Sequence, residues 1–323
     1  MYKIPRTDLA VSRLAYGVGA MDFSWVSSNL METTRKAVRA AHENGITFFD
    51  TADVYAGGQS DVALSELFRG SSRLRDEIVI QSKCGLRIRR GWRPGEPIAP
   101  DSIGVDLSRR QIIGSVEESL RRLQTDRLDI LLLHVPSALL DPQDVACAFD
   151  ELHRDGKVRH FGVCDHNVMQ LELLRRSIRQ ELVANQMWLS LVHYAPIHER
   201  SGFGSLVDYC RIHDIQVQAF SPLKGGTIFG KPWLLAGSES VAPELRKLSE
   251  MLEAIASKHS ATPAAIMLAW LLRHPAGIVP IMGSTNPVHI AQNCAADGID
   301  LSVEEWTTLL NSTSQIQTMQ VPQ

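Results

Sequence analysis

The stretch of sequence from residue 48 to residue 55 reads FFDTADVY. The apolar run that begins at Ile46 predicts a strand that ends on Asp50, and Tyr55 follows in a loop that leads into Gly57 and Gly58. A tyrosine has an unperturbed pKa of about 10, so it is a poor acid at neutral pH unless a neighbouring cation favours its ionised form. The stretch therefore predicts a cation at the end of a neighbouring strand.

The next two apolar runs end on residues that suit this chemistry. Residues 78–83 read IVIQSK and end on Lys83, and residues 128–134 read LDILLLH and end on His134. Three successive strands thus present Asp50, Lys83 and His134 at their carboxyl ends. In a barrel of parallel strands these ends meet at one face, which is the face that carries function.

Short apolar runs alternate with helix-period segments along the whole chain, as is typical of repeated βα units and a parallel sheet. The pattern predicts an α/β fold, a (β/α)8 TIM barrel with an N-terminal β-hairpin at 3–14, in one domain that spans 1–323. Long loops at 86–108 and 223–243 are expected at the catalytic face. The eight strands are expected at 14–18, 46–49, 78–82, 128–133, 158–163, 183–186, 215–219 and 278–281.

Composition narrows the classes of partner and location. The net charge is −3 with both signs spread along the chain, so nucleic acid is not an expected partner. No apolar run is long enough for a membrane span and the N-terminus lacks a signal-peptide core, so a cytoplasmic protein with no membrane partner is expected. The five cysteines show no metal-ligand spacing, which predicts reduced thiols and no metal site.

Several motifs occur in an order that is more specific than any one of them. Besides FFDTADVY and LLLH, they are SKCG at 82–85, GKVRHFGV at 156–163, NQ at 185–186, FSPLKGG at 220–226 and GSTNPVHIAQN at 283–293. In these motifs the chain resembles the aldo-keto reductase superfamily. The resemblance implies an NADP(H)-preferring enzyme that reduces a small-molecule aldehyde or ketone to the alcohol, reversibly.

The resemblance also implies a role for each residue of a catalytic tetrad. Tyr55 would deliver a proton to the carbonyl oxygen of the substrate and would act as a base in the reverse direction. Lys83, held in place by Asp50, would lower the pKa of the phenol. His134 would orient the carbonyl and donate a hydrogen bond to the developing oxyanion.

Hydride transfer needs a cofactor, since no side chain can donate a hydride. Gly17-Val18-Gly19 stops short of the Gly-x-Gly-x-x-Gly of a Rossmann site, so that arrangement is disfavoured. The resemblance implies instead an extended NADPH, with NADH as a possible substitute, across the barrel mouth. Asp165 and Gln186 would bind the carboxamide and Phe220 would stack on the nicotinamide. The remaining contacts would come from Ser221, Leu223, Gly283, Ser284, Asn286, His289, Gln292 and Asn293.

The chain departs from the family pattern at both ends of this cofactor. Asp165 stands where asparagine is common, so a donor becomes a group that only accepts. Many relatives place Lys or Arg at the positions of Asn286 and His289, where the cations meet the 2′-phosphate of NADP. Here Ser284 and a helix N-terminus near Pro287 are left to favour a phosphate, and NADPH is expected ahead of NADH by a small margin.

Four apolar residues in loops suggest a substrate pocket: Met21, Phe23, Trp25 and Trp92. An aromatic wall of this kind favours an apolar or aromatic carbonyl over a sugar. Two other functions remain open at this point. One is a cofactor-binding regulatory subunit of the same fold with little turnover. The other is unrelated barrel chemistry in which Lys83 forms a Schiff base. The sequence predicts no oligomeric state.

Overall fold

The computed structural model describes residues 1–19, 28–88, 103–197, 205–223 and 243–313. Within these ranges the chain forms a closed barrel of eight parallel strands, two short antiparallel hairpins and a surrounding layer of helices. The predicted (β/α)8 barrel with an N-terminal hairpin is therefore confirmed.

Two hairpins stand outside the barrel. Strands β1 (Tyr2–Lys3) and β2 (Ala10–Val11) form the N-terminal one, and β6 (Leu86–Ile88) pairs with β7 (Ile103–Val105) in the second. The barrel strands are β3 (Ala15–Gly17), β4 (Phe48–Asp50), β5 (Val79–Cys84), β8 (Leu128–Leu133), β9 (Val158–Cys164), β10 (Leu182–Trp188), β11 (Gln216–Phe220) and β12 (Val279–Met282). Around the ring they run in the order β10-β11-β12-β3-β4-β5-β8-β9.

The N-terminal hairpin closes the bottom of the barrel. Ile4 and Val11 are fully buried and pack in one cluster with the inward-facing Phe48 and Ile130. The lower part of the barrel interior is therefore apolar. This plug leaves the opposite end, where the strands have their carboxyl termini, as the end that can receive a ligand.

The helices follow the strands as the βα pattern requires. They are α1 (Ser28–Glu43), α2 (Gln59–Phe68), α3 (Ser72–Glu77), α4 (Arg109–Leu123), α5 (Pro142–Arg154), α6 (Val168–Arg175), α7 (Leu206–Ile212), α8 (Pro243–Lys258), α9 (Pro263–Leu272), α10 (Pro287–Cys294) and α11 (Val303–Ser312). Side-chain caps define many of their starts, such as Ser108 on α4 and Asn167 in a capping box on α6.

Outward-facing strand residues pack against the inner faces of these helices. On α5 the apolar face formed by Val145, Phe149 and Leu152 is fully buried, and the ring of Phe149 stacks on Phe161 of β9 at 4.1 Å between centroids. Burying one such side chain stabilises the fold by roughly 1.5–3 kcal/mol. The same packing repeated around the ring fixes the height of each strand.

A buried ion-pair network joins α3, β8 and β9 near the bottom of the barrel. The carboxylate of Asp129 accepts from Arg75 Nη1 and Arg159 Nη1, both at 2.9 Å, and from the backbone N–H of Ile80 at 2.9 Å. Arg159 also reaches Asp8 of the loop between β1 and β2 at 2.6 Å. The network thus ties the N-terminal plug to the barrel wall.

The structure adds two elements that the sequence pattern did not reveal. Helix α3 is only six residues long, and the predicted irregular loop at 86–108 contains the β6–β7 hairpin. All three residues of β7 are exposed, so no alternation of buried and exposed side chains marked it. Within the described ranges, no helix combines the length and apolar character needed to cross a membrane. All five cysteines fall in these ranges and are free thiols.

Candidate active site

Asp50, Lys83 and Tyr55 meet at the carboxyl ends of β4 and β5. The ammonium of Lys83 lies 2.5 Å from Asp50 Oδ2, 2.9 Å from the carbonyl oxygen of Thr51 and 3.1 Å from the phenolic oxygen of Tyr55. These three contacts use all three donors of the ammonium. Because Lys83 donates to the phenolic oxygen, the phenol keeps its own proton for another acceptor.

The turn that carries Tyr55 has an unusual backbone. Ala56, Gly57 and Gly58 all have positive φ angles, of 47°, 62° and 88°. A side chain at Gly58 would also be obstructed, since a Cβ there would lie 2.7 Å from Arg122 Nε. The sequence therefore needs glycine at this position to bring the phenol back over Lys83.

Arg122 supports this turn from behind. Its guanidinium pairs with the fully buried carboxylate of Asp61 at 3.1 Å and donates to the backbone carbonyl of Asp53 at 3.1 Å. Asp61 also accepts from the Thr51 hydroxyl at 2.8 Å. Burial raises the pKa of Asp53 to about 7, opposed by Ser115 and Arg122 and reinforced by the charge of Asp61.

The electrostatics of Lys83 argue against the Schiff-base chemistry that the sequence left open. Burial by itself would lower the pKa of the ammonium, but the negative charge of Asp50 and the contact with Tyr55 outweigh burial and raise it. A lysine that forms a Schiff base needs a lowered pKa so that it can attack as the neutral amine. Lys83 is instead held as a cation beside the phenol.

Burial and Lys83 act in opposite directions on the pKa of Tyr55. Lys83 lowers that pKa as expected, but burial raises it more and Asp50 adds to the rise, so the net change is upward from the usual value. Tyr55 is thus protonated at neutral pH and is arranged as a proton donor. Lys83 limits the rise rather than reversing it.

His134 completes the group from the end of β8. Its ring meets the Tyr55 ring edge to face, with centroids 5.5 Å apart. Burial, together with the charge of Lys83, holds the pKa of His134 well below its usual value, so the ring is neutral. Its Nδ1 is buried without a hydrogen-bond partner among the described residues. A neutral imidazole still offers one N–H donor to a substrate.

The residues predicted for the nicotinamide lie around the same mouth. Asp165, at the end of β9 with φ of 52°, accepts from the backbone N–H of Trp188 at 3.3 Å, and burial raises its pKa. Both amide protons of Gln186 are already used, toward Asp50 and Gln218, so only its oxygen remains to meet a carboxamide. Phe220 ends β11, is half-buried and lies beside Trp188 in the strand pairing.

The residues predicted for the far end of the cofactor surround the start of α10. Ser284 Oγ accepts from the backbone N–H of Asn286 at 3.3 Å, and Asn286 Oδ1 caps the helix through Val288 at 2.9 Å. His289 and Gln292 are exposed, as is Gly283, whereas Asn293 is buried. Ser221 is exposed and Leu223 packs partly against the core. The capping role of Asn286 was not anticipated.

These observations fit a nicotinamide dinucleotide. A half-buried aromatic face at a strand end suits a flat heterocycle, and Asp165 and the Gln186 oxygen can both accept from an amide. The predicted substrate wall of Met21, Phe23, Trp25 and Trp92 lies outside the described residues. Sequence reasoning missed Gln81 and Gln218. They lie two positions before Lys83 and Phe220, and because side chains two apart on a strand share a face, this spacing was the signal that could have revealed them.

Comparison with known proteins agrees with this geometry. The model of the Aldo/keto reductase family matches residues 14–312. The chain is similar to YcsN, an uncharacterized oxidoreductase of Bacillus subtilis, with 32% identity over 301 residues that cover 93% of each protein. It is 31% identical over 312 residues, 95% of each protein, to a 6-dehydroglucose reductase of Agrobacterium fabrum.

Two further relatives bear on the cofactor. A crystal structure of an aldo-keto reductase from Klebsiella pneumoniae in complex with NADPH superposes with a TM-score of 0.71 at 28% identity, and covers 93% of this chain and 90% of that one. An NADH-specific methylglyoxal reductase of Escherichia coli is 26% identical over 327 residues, which cover 96% of this chain and 97% of the relative. The relatives of this chain therefore include one crystallised with NADPH and one named as NADH-specific.

Proposed function

The chain belongs to the aldo/keto reductase family, and we propose that it is an enzyme that reduces an aldehyde or ketone to the alcohol and also runs in reverse. One observation carries this proposal: Lys83 donates to the phenolic oxygen of Tyr55 at 3.1 Å, beside a neutral His134. The phenolic proton is free to pass to a substrate oxygen.

Each member of the tetrad has a distinct task in this proposal. Tyr55 donates a proton to the carbonyl oxygen as the carbon is reduced, and accepts it back in alcohol oxidation. Lys83 stabilises the phenolate that remains, and Asp50 holds Lys83 in position. His134 donates its one N–H to the substrate oxygen and so orients the carbonyl.

We propose NADPH as the preferred hydride donor, with NADH also accepted. The dinucleotide would supply the hydride, while Phe220, Asp165 and Gln186 would hold its nicotinamide. Ser221 and Leu223 would line the pyrophosphate path. The adenosine end would meet Gly283, Ser284, Asn286, His289, Gln292 and Asn293. Because fixed cations are lacking at 286 and 289, the preference for the 2′-phosphate should be small.

The substrate proposal rests on sequence. The apolar and aromatic residues at 21, 23, 25 and 92 favour an apolar or aromatic carbonyl, and the relatives named for 6-dehydroglucose and methylglyoxal make small polar carbonyls the main competitors. We also propose that one barrel domain carries the whole activity in the cytoplasm.

The test is oxidation of NADPH and of NADH, followed at 340 nm across a panel of aliphatic, aromatic and sugar carbonyls. The wild type should turn over at least one class, with kcat/KM for NADPH above that for NADH. Tyr55→Phe should lower kcat by about 10²–10⁴-fold while cofactor binding persists.

Two outcomes would overturn the proposal. A Tyr55→Phe protein that turns over as fast as the wild type would remove the phenol from the chemistry. A wild type that binds NADPH tightly, followed by quenching of its tryptophan fluorescence, yet reduces nothing on the panel would indicate the regulatory subunit instead.

A further inference from the structure

A chain of buried amides crosses the barrel directly beneath the tetrad. Gln81 Nε2 donates to Asp50 Oδ1 at 2.7 Å and to Gln218 Oε1 at 2.7 Å. Gln218 Nε2 returns a hydrogen bond to Gln81 Oε1 at 2.9 Å and donates to Gln216 Oε1 at 3.0 Å. Gln186 Nε2 donates to Asp50 Oδ1 at 2.9 Å and to Gln218 Oε1 at 3.1 Å.

Three of the four glutamines have both amide protons in hydrogen bonds, whereas Gln216 Nε2 is buried without a hydrogen-bond partner among the described residues. Gln81, Gln186 and Gln218 each use both amide protons, and two of the six go to one oxygen of Asp50. The other oxygen of Asp50 faces Lys83. One oxygen of the carboxylate is thus held by two neutral donors and the other by one cation. Gln216 makes no contact with Asp50 and lies one link further away.

The network depends on barrel closure. Strands β5 and β11 lie four places apart in the eight-stranded ring, on opposite sides, so the pair Gln81–Gln218 spans the interior. Both glutamines are fully buried, with the apolar plug of the N-terminal hairpin below them. Buried amides left unsatisfied are costly, so an apolar layer would have been the simpler filling for this space.

We propose that Gln81, anchored by Gln218, is a positioning residue that holds the Asp50 carboxylate turned toward Lys83 and thereby fixes Lys83 under the Tyr55 phenol. This inference rests on the proposed function and adds to the same site residues that contact Asp50 rather than the substrate. Among the described residues, the side chain of Gln81 forms its hydrogen bonds with Asp50 and Gln218 and none with Tyr55. Its effect on the reaction must therefore pass through Asp50 and Lys83.

The expected effect on Tyr55 has a definite sign. The charged and titratable groups that face the phenol are Lys83, Asp50, His134 and Cys164. Without Gln81, the charge of Asp50 is less satisfied and Lys83 is less firmly held, and both changes favour the protonated phenol. In alcohol oxidation, where Tyr55 acts as the base, the rise in rate with pH should move to higher pH.

Gln81→Met and Gln216→Met form a matched pair, since each removes one buried amide from the same hydrogen-bond network, and only Gln81 bonds to Asp50. Gln81→Met should lower kcat roughly tenfold, with KM for cofactor changed less, and should shift the pH profile of oxidation upward. Gln216→Met should leave the pH profile in place and change kcat by less than about twofold. Equal losses in the two variants, or an unshifted profile in Gln81→Met, would overturn the proposal.

If Gln81→Met fails to fold, Gln218→Met replaces it, because it removes the anchor of Gln81 without touching Asp50. It should shift the profile in the same direction by a smaller amount, and no shift would refute the anchoring role.

A second readout does not need turnover, and so separates failure of this inference from failure of the proposed function. Each side-chain amide resonance is assigned in ¹⁵N spectra as the one that disappears when that glutamine is replaced by methionine. The resonances of Gln81 and Gln186 should then shift in Asp50→Asn. The resonance of Gln216 should not move. If all three resonances are unmoved, the network is refuted even in an inactive protein.

Discussion

Two buried carboxylates, Asp50 on β4 and Asp129 on β8, show how similar local chemistry serves different ends. Both side chains are nearly inaccessible, at 4% and 2% exposed, and both pair with cations. Asp129 is bound by two guanidinium groups and a backbone N–H. Asp50 is bound by one ammonium and two neutral amides.

The difference lies in where the cation's remaining donors go. Arg75 also donates hydrogen bonds to the carbonyls of Ile78 and Arg127 and to the Thr125 hydroxyl, none of which takes part in proton transfer. Lys83 gives one donor to Tyr55, a group that can release a proton. A guanidinium is a rigid fork, whereas an ammonium is a compact charge with three separate donors. The first arrangement ties together parts of the barrel wall, and the second is the one to which we assign a role in the proposed reaction.

The largest effect is expected from removal of the Lys83 cation, which tests whether the two carboxylates differ in function. Lys83→Met should lower kcat by about 10²–10⁴-fold because the phenolate loses its stabilising charge. It should also lower the melting temperature, since Asp50 is left as an uncompensated buried charge. Adding Asp50→Asn to Lys83→Met should restore much of the melting temperature and none of the activity. Recovery of activity in the double variant would contradict the role of Lys83.

The complementary change removes the charge at the bottom of the barrel. Asp129→Asn should reduce the free energy of unfolding by about 3–5 kcal/mol, because Arg75 keeps its charge in a buried site without a carboxylate. The kcat/KM should stay within about twofold, since five residues of strand, or about 16 Å, separate Asp129 from His134. Urea unfolding and steady-state kinetics on the same sample check both parts. A large loss of kcat at full folding would show that the two sites are coupled.

Asp53 is a third buried carboxylate, and unlike Asp50 and Asp129 its side chain forms no ion pair among the described residues. The pKa of Asp53 is raised to about 7 from an ordinary value of 3.8, so the folded state binds the proton more tightly than the unfolded state. Stability from this group is therefore present below about pH 4 and is lost as the pH rises toward 7. In Asp53→Asn this loss should disappear. The free energy of unfolding of the variant minus that of the wild type should therefore be higher at pH 8 than at pH 4, by on the order of 2–4 kcal/mol.

Urea unfolding at several pH values measures this difference. Asp126→Asn is a matched control because that carboxyl is exposed. It should parallel the wild type across the pH range, and an Asp53→Asn curve that also parallels the wild type would refute a raised pKa for Asp53.

Much of the candidate site followed from sequence because it depends on where strands end. Asp50, Lys83 and His134 each close an apolar run, and barrel closure brings such ends to one face. The amide layer did not follow, although the period-2 alternation was visible. Gln81 and Gln218 are 137 residues apart, and their contact exists only because the ring closes with a particular register.

Element boundaries and charge states show the same division. The eight strands were predicted to within a few residues, while the exposed β7 and the six-residue α3 were missed because neither carries a periodic apolar signal. The sequence also suggested that Lys83 lowers the pKa of Tyr55. The depth of burial, which no local pattern states, reverses the net direction.

The sequence by itself determined the barrel, the family resemblance and the choice of Tyr55 as the proposed proton donor, because these depend on periodicity and on short motifs. The tertiary structure alone decided which groups donate hydrogen bonds to Asp50. It also decided that both amide protons of Gln186 bond within the barrel and that Arg122 supports the turn of Tyr55. The physical reason is burial. In a closed barrel each polar group must find its partner across the interior, and that partner is set by register rather than by sequence neighbours.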